Sequence, residues 1–382
     1  MPDPVDLPVG FEAFHARRFV NYQLNRAHSL GYARQDELAD AAHRVKSSAD
    51  CVRELDALSQ RARVDGRPAN AASYLRIAEF FTPGSSPDKV PRYRRYRDLF
   101  DAAVADAGVE RHDVTFGAGW LPAYRLCAEG PARLGTVLVH GGFDSLIEEF
   151  FAIWHRIAHA GFDVVAFDGP GQGGARRLAG LTFDHDWEKP VAAVLDHFGI
   201  DQAGLVGISM GGYWALRAAG REPRIDRVVS WPPVFDWMLR IPRPVRPLGR
   251  AMLDRPGLMR WSVRTRARLV PTLRLVVDQA LYNLDSADHY DVVDWFLGMN
   301  PRHVDSHRVT QDVLLMVGEH DQFQPPKLAK AQAHALTRAR SVRTRTFTEH
   351  EHADQHCQMG NLGLACHVVT DWLTQPHSAG PA

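Results

Sequence analysis

Gly207-Ile208-Ser209-Met210-Gly211 sets a serine between two glycines in a short turn. The apolar run Ala203-Gly204-Leu205-Val206 leads into it, and a helix-forming run from Gly212 to Ala219 leads away. That is the strand–turn–helix setting of a nucleophile elbow, where a strained turn holds a serine Oγ clear of the sheet edge. Side chains two residues before and after the serine would collide, so the turn needs Gly207 and Gly211. The helix that starts there aims its N-terminal dipole at the reacting centre. The alternative is a tight glycine turn of structural use only; the flanks favour the elbow.

A serine hydroxyl is a weak nucleophile until a base takes its proton, and the base needs a carboxylate to hold its tautomer. Behind an elbow the chain order is serine, acid, histidine. Asp321, in Val317-Gly318-Glu319-His320-Asp321, lies just past the β run Val313–Val317 and is the favoured acid. Glu319 and, more distantly, Asp236 are the alternatives. The base must follow the last strand, where His350, His352 and His356 all qualify. His356, in Asp354-Gln355-His356-Cys357, sits closest to the final helical run Leu362–Leu373 and is preferred.

An oxyanion hole needs two backbone N–H donors. Met210, after the serine, supplies one. The other is expected from Val139-His140-Gly141-Gly142-Phe143-Asp144, from Phe143 first and Gly142 next. His140, Trp231, Phe235 and Asp236 are the candidate substrate-pocket residues. Trp214 and Trp237 are further aromatic candidates, with core packing the alternative for the tryptophans. His350-x-His352 with Asp354 and His356 invites a metal reading, but no HExxH or paired CxxC supports it and no metal is expected. Asp168-Gly169-Pro170-Gly171-Gln172-Gly173 lacks the ending of a phosphate loop and reads as a structural loop beside the site.

The elements that must position these groups change character along the chain. Residues from about 10 to 108 read as helices, including Ser48–Arg63, a run from Pro68 to Pro83, and one behind Ser86-Pro87-Asp88, where Ser86 caps and Pro87 fills the first turn. Eight short β runs come next: Val109–Phe116, Leu121–Ala128, Thr136–Val139, Asp163–Phe167, Leu205–Val206, Arg227–Trp231, Val313–Val317 and Val342–Phe347. Helical runs separate the later ones, which predicts a mostly parallel sheet covered on both faces, with the first two strands an antiparallel hairpin at one edge. Between Asp236 and His307 the alternation stops. This insertion, rich in arginine (Arg240, Arg243, Arg246, Arg250, Arg255, Arg260), is expected to be a lid. Its arginines either bind an anionic substrate or form a solvated face.

Size permits one large α/β unit plus a helical one. The expected organisation is a helical cap over residues 1–108 and a core over 109–382, with the insertion at about 236–307. The 45 basic and 45 acidic residues balance, which favours neither nucleic acid nor a membrane as partner. No apolar run is long enough to span a bilayer. The start, Met1 to Asp6, lacks the basic and apolar regions of a signal peptide, and the four cysteines are not paired as CxxC. Both suggest a reducing, cytoplasmic setting.

Taken together, His140-Gly141-Gly142-Phe143-Asp144-Ser145, Phe167-Asp168-Gly169-Pro170-Gly171-Gln172-Gly173, Gly207-Ile208-Ser209-Met210-Gly211-Gly212 and His356-Cys357 resemble the α/β-hydrolases related to 2,6-dihydroxypseudooxynicotine hydrolase. Fungal polyketide-shortening hydrolases are similar. The resemblance runs from about Tyr74 onward and is most specific over Val137–Trp231. It implies an α/β-hydrolase fold with an N-terminal helical cap, a Ser209-Asp321-His356 triad and a cofactor-free mechanism. It also implies a small-molecule substrate, often a homodimer, and hydrolysis of a carbon–carbon bond beside a ketone. The family's extra acidic pocket residue has no counterpart here beyond Asp236, and the insertion is longer, so substrate identity does not transfer. Ester or amide cleavage would use the same parts. A non-hydrolytic protein that binds or cyclises a biosynthetic intermediate is the alternative.

Overall fold

Short apolar central runs and two more polar edge strands build one eight-stranded sheet. Its strands are β1 (Glu110–Phe116), β2 (Gly119–Leu126), β3 (Thr136–His140), β4 (Asp163–Phe167), β5 (Ala203–Ile208), β6 (Ile225–Trp231), β7 (Asp312–Gly318) and β8 (Ser341–Phe347). They lie in the order β1-β2-β4-β3-β5-β6-β7-β8. β1 pairs with β2, and β2 with β4, in antiparallel fashion; every other neighbour is parallel. The computed structural model describes residues 7–128 and 133–377. The start of the chain, on which the signal-peptide reading rested, therefore lies outside the described residues.

β5 and β7 are buried along their whole length, as strands covered on both faces must be. β3 lies between β4 and β5, so the chain leaves β3 to one side and later returns on the other. A crevice opens outside the carboxyl ends of strands at such a switch point. The Gly141–Phe143 turn leaves β3 and Ser209 leaves β5, so both border that crevice.

Ahead of the sheet come α1 (Arg18–Ser29), α2 (Gln35–Ala42), α3 (Ser48–Val64), α4 (Pro68–Phe81) and α5 (Lys89–Ala103). A capping box opens α3: the Asp50 N–H donates to Ser47 Oγ (3.2 Å) and the Ser47 N–H to Asp50 Oδ2 (2.9 Å). Pro68 occupies the first turn of α4. α5 starts later than expected. Ser86 Oγ accepts from the Asp88 N–H (3.2 Å) in a preceding turn, so Ser86 and Pro87 lie outside the helix. Leu38, Leu55, Leu75 and Phe81 form a core of their own. From α1, however, Tyr22 packs into the sheet-side core with Phe150 and Trp154.

α6 (Phe151–His159), α7 (Gly173–Arg177), α8 (Glu188–Phe198) and α9 (Gly211–Ala219) accompany the central strands. The insertion between β6 and β7 is helical, comprising α10 (Arg246–Leu253), α11 (Pro256–Leu269), α12 (Pro271–Leu284), α13 (His289–Gly298) and α14 (Pro301–Val304). A proline starts four of these, α11, α12 and α14 at their first residue and α10 at its second, where its missing N–H costs no helical bond. α15 (Pro326–Ala335) and α16 (Leu362–Thr374) complete the chain. Among the described residues no helix is long and apolar enough to cross a membrane.

Candidate active site

Ser209 occupies the turn between β5 and α9 with φ 60°, a left-handed conformation costly for a residue with a Cβ. Packing holds it there. Its N–H donates to Trp231 O (2.5 Å) at the end of β6. A Cβ on Gly207 would fall 2.2 Å from Gly211 O, and one on Gly211 would fall 2.5 Å from Gly141 O. Both glycines are thus required by close backbone approach.

The hydroxyl so presented meets an imidazole. Ser209 Oγ lies 2.8 Å from His356 Nε2, and His356 Nδ1 lies 2.7 Å from Asp321 Oδ2. The carboxylate can only accept from Nδ1, which puts the Nε2 lone pair opposite the hydroxyl. Asp321 Oδ1 accepts from the Phe323 and Gln324 N–H groups, both at 2.8 Å, which fixes the carboxylate. Burial alone would lower the His356 pKa, but the adjacent Asp321 charge outweighs it and carries the pKa above the ordinary value. Tyr22 OH of α1 donates to the His356 carbonyl (3.2 Å).

The other candidates lie elsewhere. His350 and His352 are exposed at the 3-10 turn after β8. Glu319 accepts from the Glu349 N–H (2.6 Å), and Asp236 caps its own 3-10 turn through the Met238 N–H (2.8 Å). Asp354 pairs with His320 (3.0 Å). Among the described residues no three potential metal ligands converge.

The turn after β3 packs against the elbow: a Cβ on Gly142 would fall 2.7 Å from the Met210 nitrogen and 2.8 Å from Ser209 Cβ. The Gly142 N–H, one of the expected oxyanion donors, instead donates to Ser145 Oγ (2.7 Å). Gly142 therefore contributes space, and its engaged N–H is a correction to the expectation. The Phe143 N–H has no partner among the described residues. From the Asp168–Gly173 loop, Gln172 Nε2 donates to both Gly141 O and Gly142 O at 2.8 Å, clamping the turn. In the amide orientation that satisfies its neighbours, Gln324 donates to Pro232 O (2.9 Å) and accepts from the Met210 N–H at a long 3.3 Å.

Ser209 and His356 open into a cavity of about 540 Å³, a size that takes a drug-sized molecule. Its wall is mainly apolar and comes from three regions: Tyr22 and Arg26 of α1, Phe80 of α4, and Leu273 and Val276 of α12, with Phe143, Trp237 and Phe296 nearby. None of His140, Trp231, Phe235 and Asp236 lines it, so the expected pocket is corrected. His140 ends β3 beneath the turn, its ring against Phe167 and Trp187, and burial pushes its pKa down to about 3. Trp231 is buried with its indole N–H on Gln358 Oε1 (2.5 Å). Phe235 packs on the core, and Asp236 spends its carboxylate on capping. Trp214 stacks on Trp187 (4.3 Å), leaving Trp237 as the tryptophan of that group at the wall.

Tyr22 and Arg26 were missed. The sequence offered only their spacing of four on one helical face; the burial of Gln23, Asn25 and Arg26 beside them emerges from the fold alone.

Comparison with known proteins agrees with this architecture. A model of the alpha/beta hydrolase fold matches residues 137–274. The 2,6-dihydropseudooxynicotine hydrolase of Paenarthrobacter nicotinovorans is 34% identical over 153 residues, 37% of this chain and 40% of that protein. The 20-hydroxy-prefusarin hydrolase of Gibberella moniliformis is 34% identical over 187 residues, 42% of this chain and 43% of that one. These matches span about two fifths of the length of the curated relatives. The crystal structure of the 2,6-dihydroxy-pseudo-oxynicotine hydrolase superposes with a TM-score of 0.64 at 20% identity, over 94% of this chain and 98% of that one, a likeness of fold. By its sheet order, its matched segment and these sequence relatives, the chain is an α/β-hydrolase-fold protein related to 2,6-dihydropseudooxynicotine hydrolase and to fungal hydrolases.

Proposed function

We propose that this chain is a cofactor-independent serine hydrolase acting on a specialised small molecule with an apolar body. The carrying observation is the continuous relay from Ser209 Oγ through His356 to Asp321, at 2.8 Å and 2.7 Å, opening into a covered apolar cavity. Ser209 Oγ adds to a substrate carbonyl while His356 Nε2 takes its proton. The Met210 and Phe143 N–H groups hold the oxyanion, Met210 exchanging its long contact with Gln324 for the substrate oxygen. Collapse breaks the bond to the leaving group, and the imidazolium returns the proton to that group. Water then attacks the acyl-enzyme with His356 again as base, releasing a carboxylic acid.

The family resemblance carried by the sequence motifs favours cleavage of a carbon–carbon bond beside a ketone, and two sequence relatives are named as hydrolases of small molecules. In that case the electron pair of the broken bond leaves on carbon as an enolate, which the His356 imidazolium protonates, and one water is consumed overall. An ester or amide passes through the same steps with oxygen or nitrogen leaving. In this reading α1, α4 and α5 act as a cap and α10–α14 as a lid.

A fluorophosphonate probe tests the proposal. The native chain is expected to label covalently and Ser209→Ala to stay unlabelled. A folded native chain that does not label, or a Ser209→Ala chain that labels as the native one does, defeats it.

A further inference from the structure

Three ionised side chains besides His356 line the cavity: Arg26, Asp144 and Arg240. The first two neutralise each other, since Arg26 Nη1 lies 3.1 Å from Asp144 Oδ1 and its other nitrogen pairs with Glu149. Arg240 has no such match. Its Nη2 donates to the Gln322 carbonyl at 3.2 Å, and its guanidinium stacks 4.7 Å over the Trp237 ring. No described carboxylate comes within salt-bridge distance of it. The acid that acts on it electrostatically, Asp321, is already engaged by His356 and two N–H groups. A guanidinium stays charged at any physiological pH. Arg240 thus stands at the solvent-exposed rim of the cavity, a positive charge with no carboxylate partner held in place by an aromatic face.

The surroundings strengthen the same sign. From Arg240 to Arg274 the sequence holds ten arginines and one acidic residue, Asp254, in a chain whose total charge is zero. Among the described side chains of this run only Arg260 forms a salt bridge, with Asp288. Val270, Leu273 and Val276 from the same stretch line the cavity. Charge of one sign around a low-dielectric cleft concentrates ligands of the opposite sign.

We propose that Arg240 binds an oxyanion on the substrate, a carboxylate or a phosphate monoester carried by an otherwise apolar body. The inference rests on the reading of this cavity as the substrate site, and it deepens that reading by naming a substrate class. Planar guanidinium–oxyanion recognition is charge-assisted and bidentate, so an anionic ligand gains roughly 10–100-fold over a neutral one of the same shape.

Isothermal titration in the Ser209→Ala background tests this without requiring turnover. The probes are 4-phenylbutyrate, 3-phenylpropyl phosphate and neutral 4-phenyl-1-butanol. Both anions, or the one whose geometry fits, are expected to bind at least about tenfold tighter than the alcohol. Their order says which oxyanion the site takes. Adding Arg240→Gln should erase that preference and leave alcohol binding unchanged, which also shows the variant folded; Arg240→Lys should keep part of it. Equal binding of all three probes, no binding of any, a preference that survives Arg240→Gln, or equal loss of acid and alcohol overturns the proposal. Because labelling of native Ser209 is measured separately, failure of anion recognition and failure of the hydrolase reading give different results.

Discussion

At His356, burial and the Asp321 charge pull in opposite directions, and the charge wins. In the proposed reaction His356 is a base that works only when neutral, so its raised pKa moves the acid limb of kcat/KM above the ordinary histidine range, near 6.5. Activity should therefore climb as pH rises through that raised value. Asp321→Asn removes the largest influence that opposes burial. The acid limb should then shift to lower pH, while the plateau rate falls by roughly 10²–10⁴-fold through loss of tautomer and imidazolium stabilisation. A pH profile of the variant whose inflection does not move would refute this account. Gly142 gives a steric counterpart. In Gly142→Ala the new Cβ meets backbone on both sides, at the Met210 nitrogen and beside Ser209. The turn after β3 must retreat, and because the proposed reaction draws the Phe143 donor from it, kcat should fall about 10²–10³-fold, the cost of losing one donor. Circular dichroism should show the fold retained.

At the scale of elements, the sheet was legible because its central strands are apolar runs stopped by glycine, proline or a polar turn, while the edge strands β1 and β8 are β-branched or aromatic residues alternating with polar ones. The convergence of Ser209, His356 and Asp321 was legible because each comes after a strand end: β5 before Ser209, β7 before Asp321, β8 before His356. The pocket was not. A strand's side chains alternate between faces, so a residue at a strand end such as His140 or Trp231 is as readily beneath the site as over it. The cavity wall comes instead from α1, α4 and α12, where helical periodicity identifies a buried face but not whether that face meets core or cavity. On α1, Tyr22 holds the His356 carbonyl and Arg26 holds Asp144 on the oxyanion turn, so one helix braces both halves of the site. Arg26→Gln would leave the half-buried Asp144 without its salt-bridge partner and the buried Glu149 with Arg76 alone. It should cost about 1–3 kcal/mol of stability and lower kcat more than it changes KM. Urea denaturation read beside steady-state kinetics checks both; loss of stability with kcat intact would reduce α1 to a packing element.

Across the whole molecule, a buried ion network joins the N-terminal helices to the sheet layer. Glu79 of α4 meets Lys89 of α5 (3.0 Å), Arg177 of α7 (2.8 Å) and Arg76 (3.3 Å). Arg76 in turn reaches Glu149 (3.1 Å) and the Asp144 carbonyl (2.6 Å). Burial by itself would raise the Glu79 pKa, but the three cations outweigh it and hold the carboxyl at about 2, against an ordinary 4.5. A depressed carboxyl pKa contributes stability that is present above the unfolded value and lost as pH falls toward the folded one. The window here is pH 4.5 down to 2, and the contribution is about 3 kcal/mol. Lys89 behaves consistently: burial and the neighbouring arginines bring its pKa down to about 8, because one carboxylate serves three cations. Glu79→Gln should therefore destabilise the protein by about 3–5 kcal/mol at pH 7, where three buried cations lose their counter-charge. The gap between parent and variant should then narrow as pH falls through 4 toward 2, since the parent protonates Glu79 and the variant has nothing to protonate. Urea midpoints at pH 7, 5, 4 and 3 measure that gap directly; a constant difference across the series would mean that Glu79 acts through packing rather than charge.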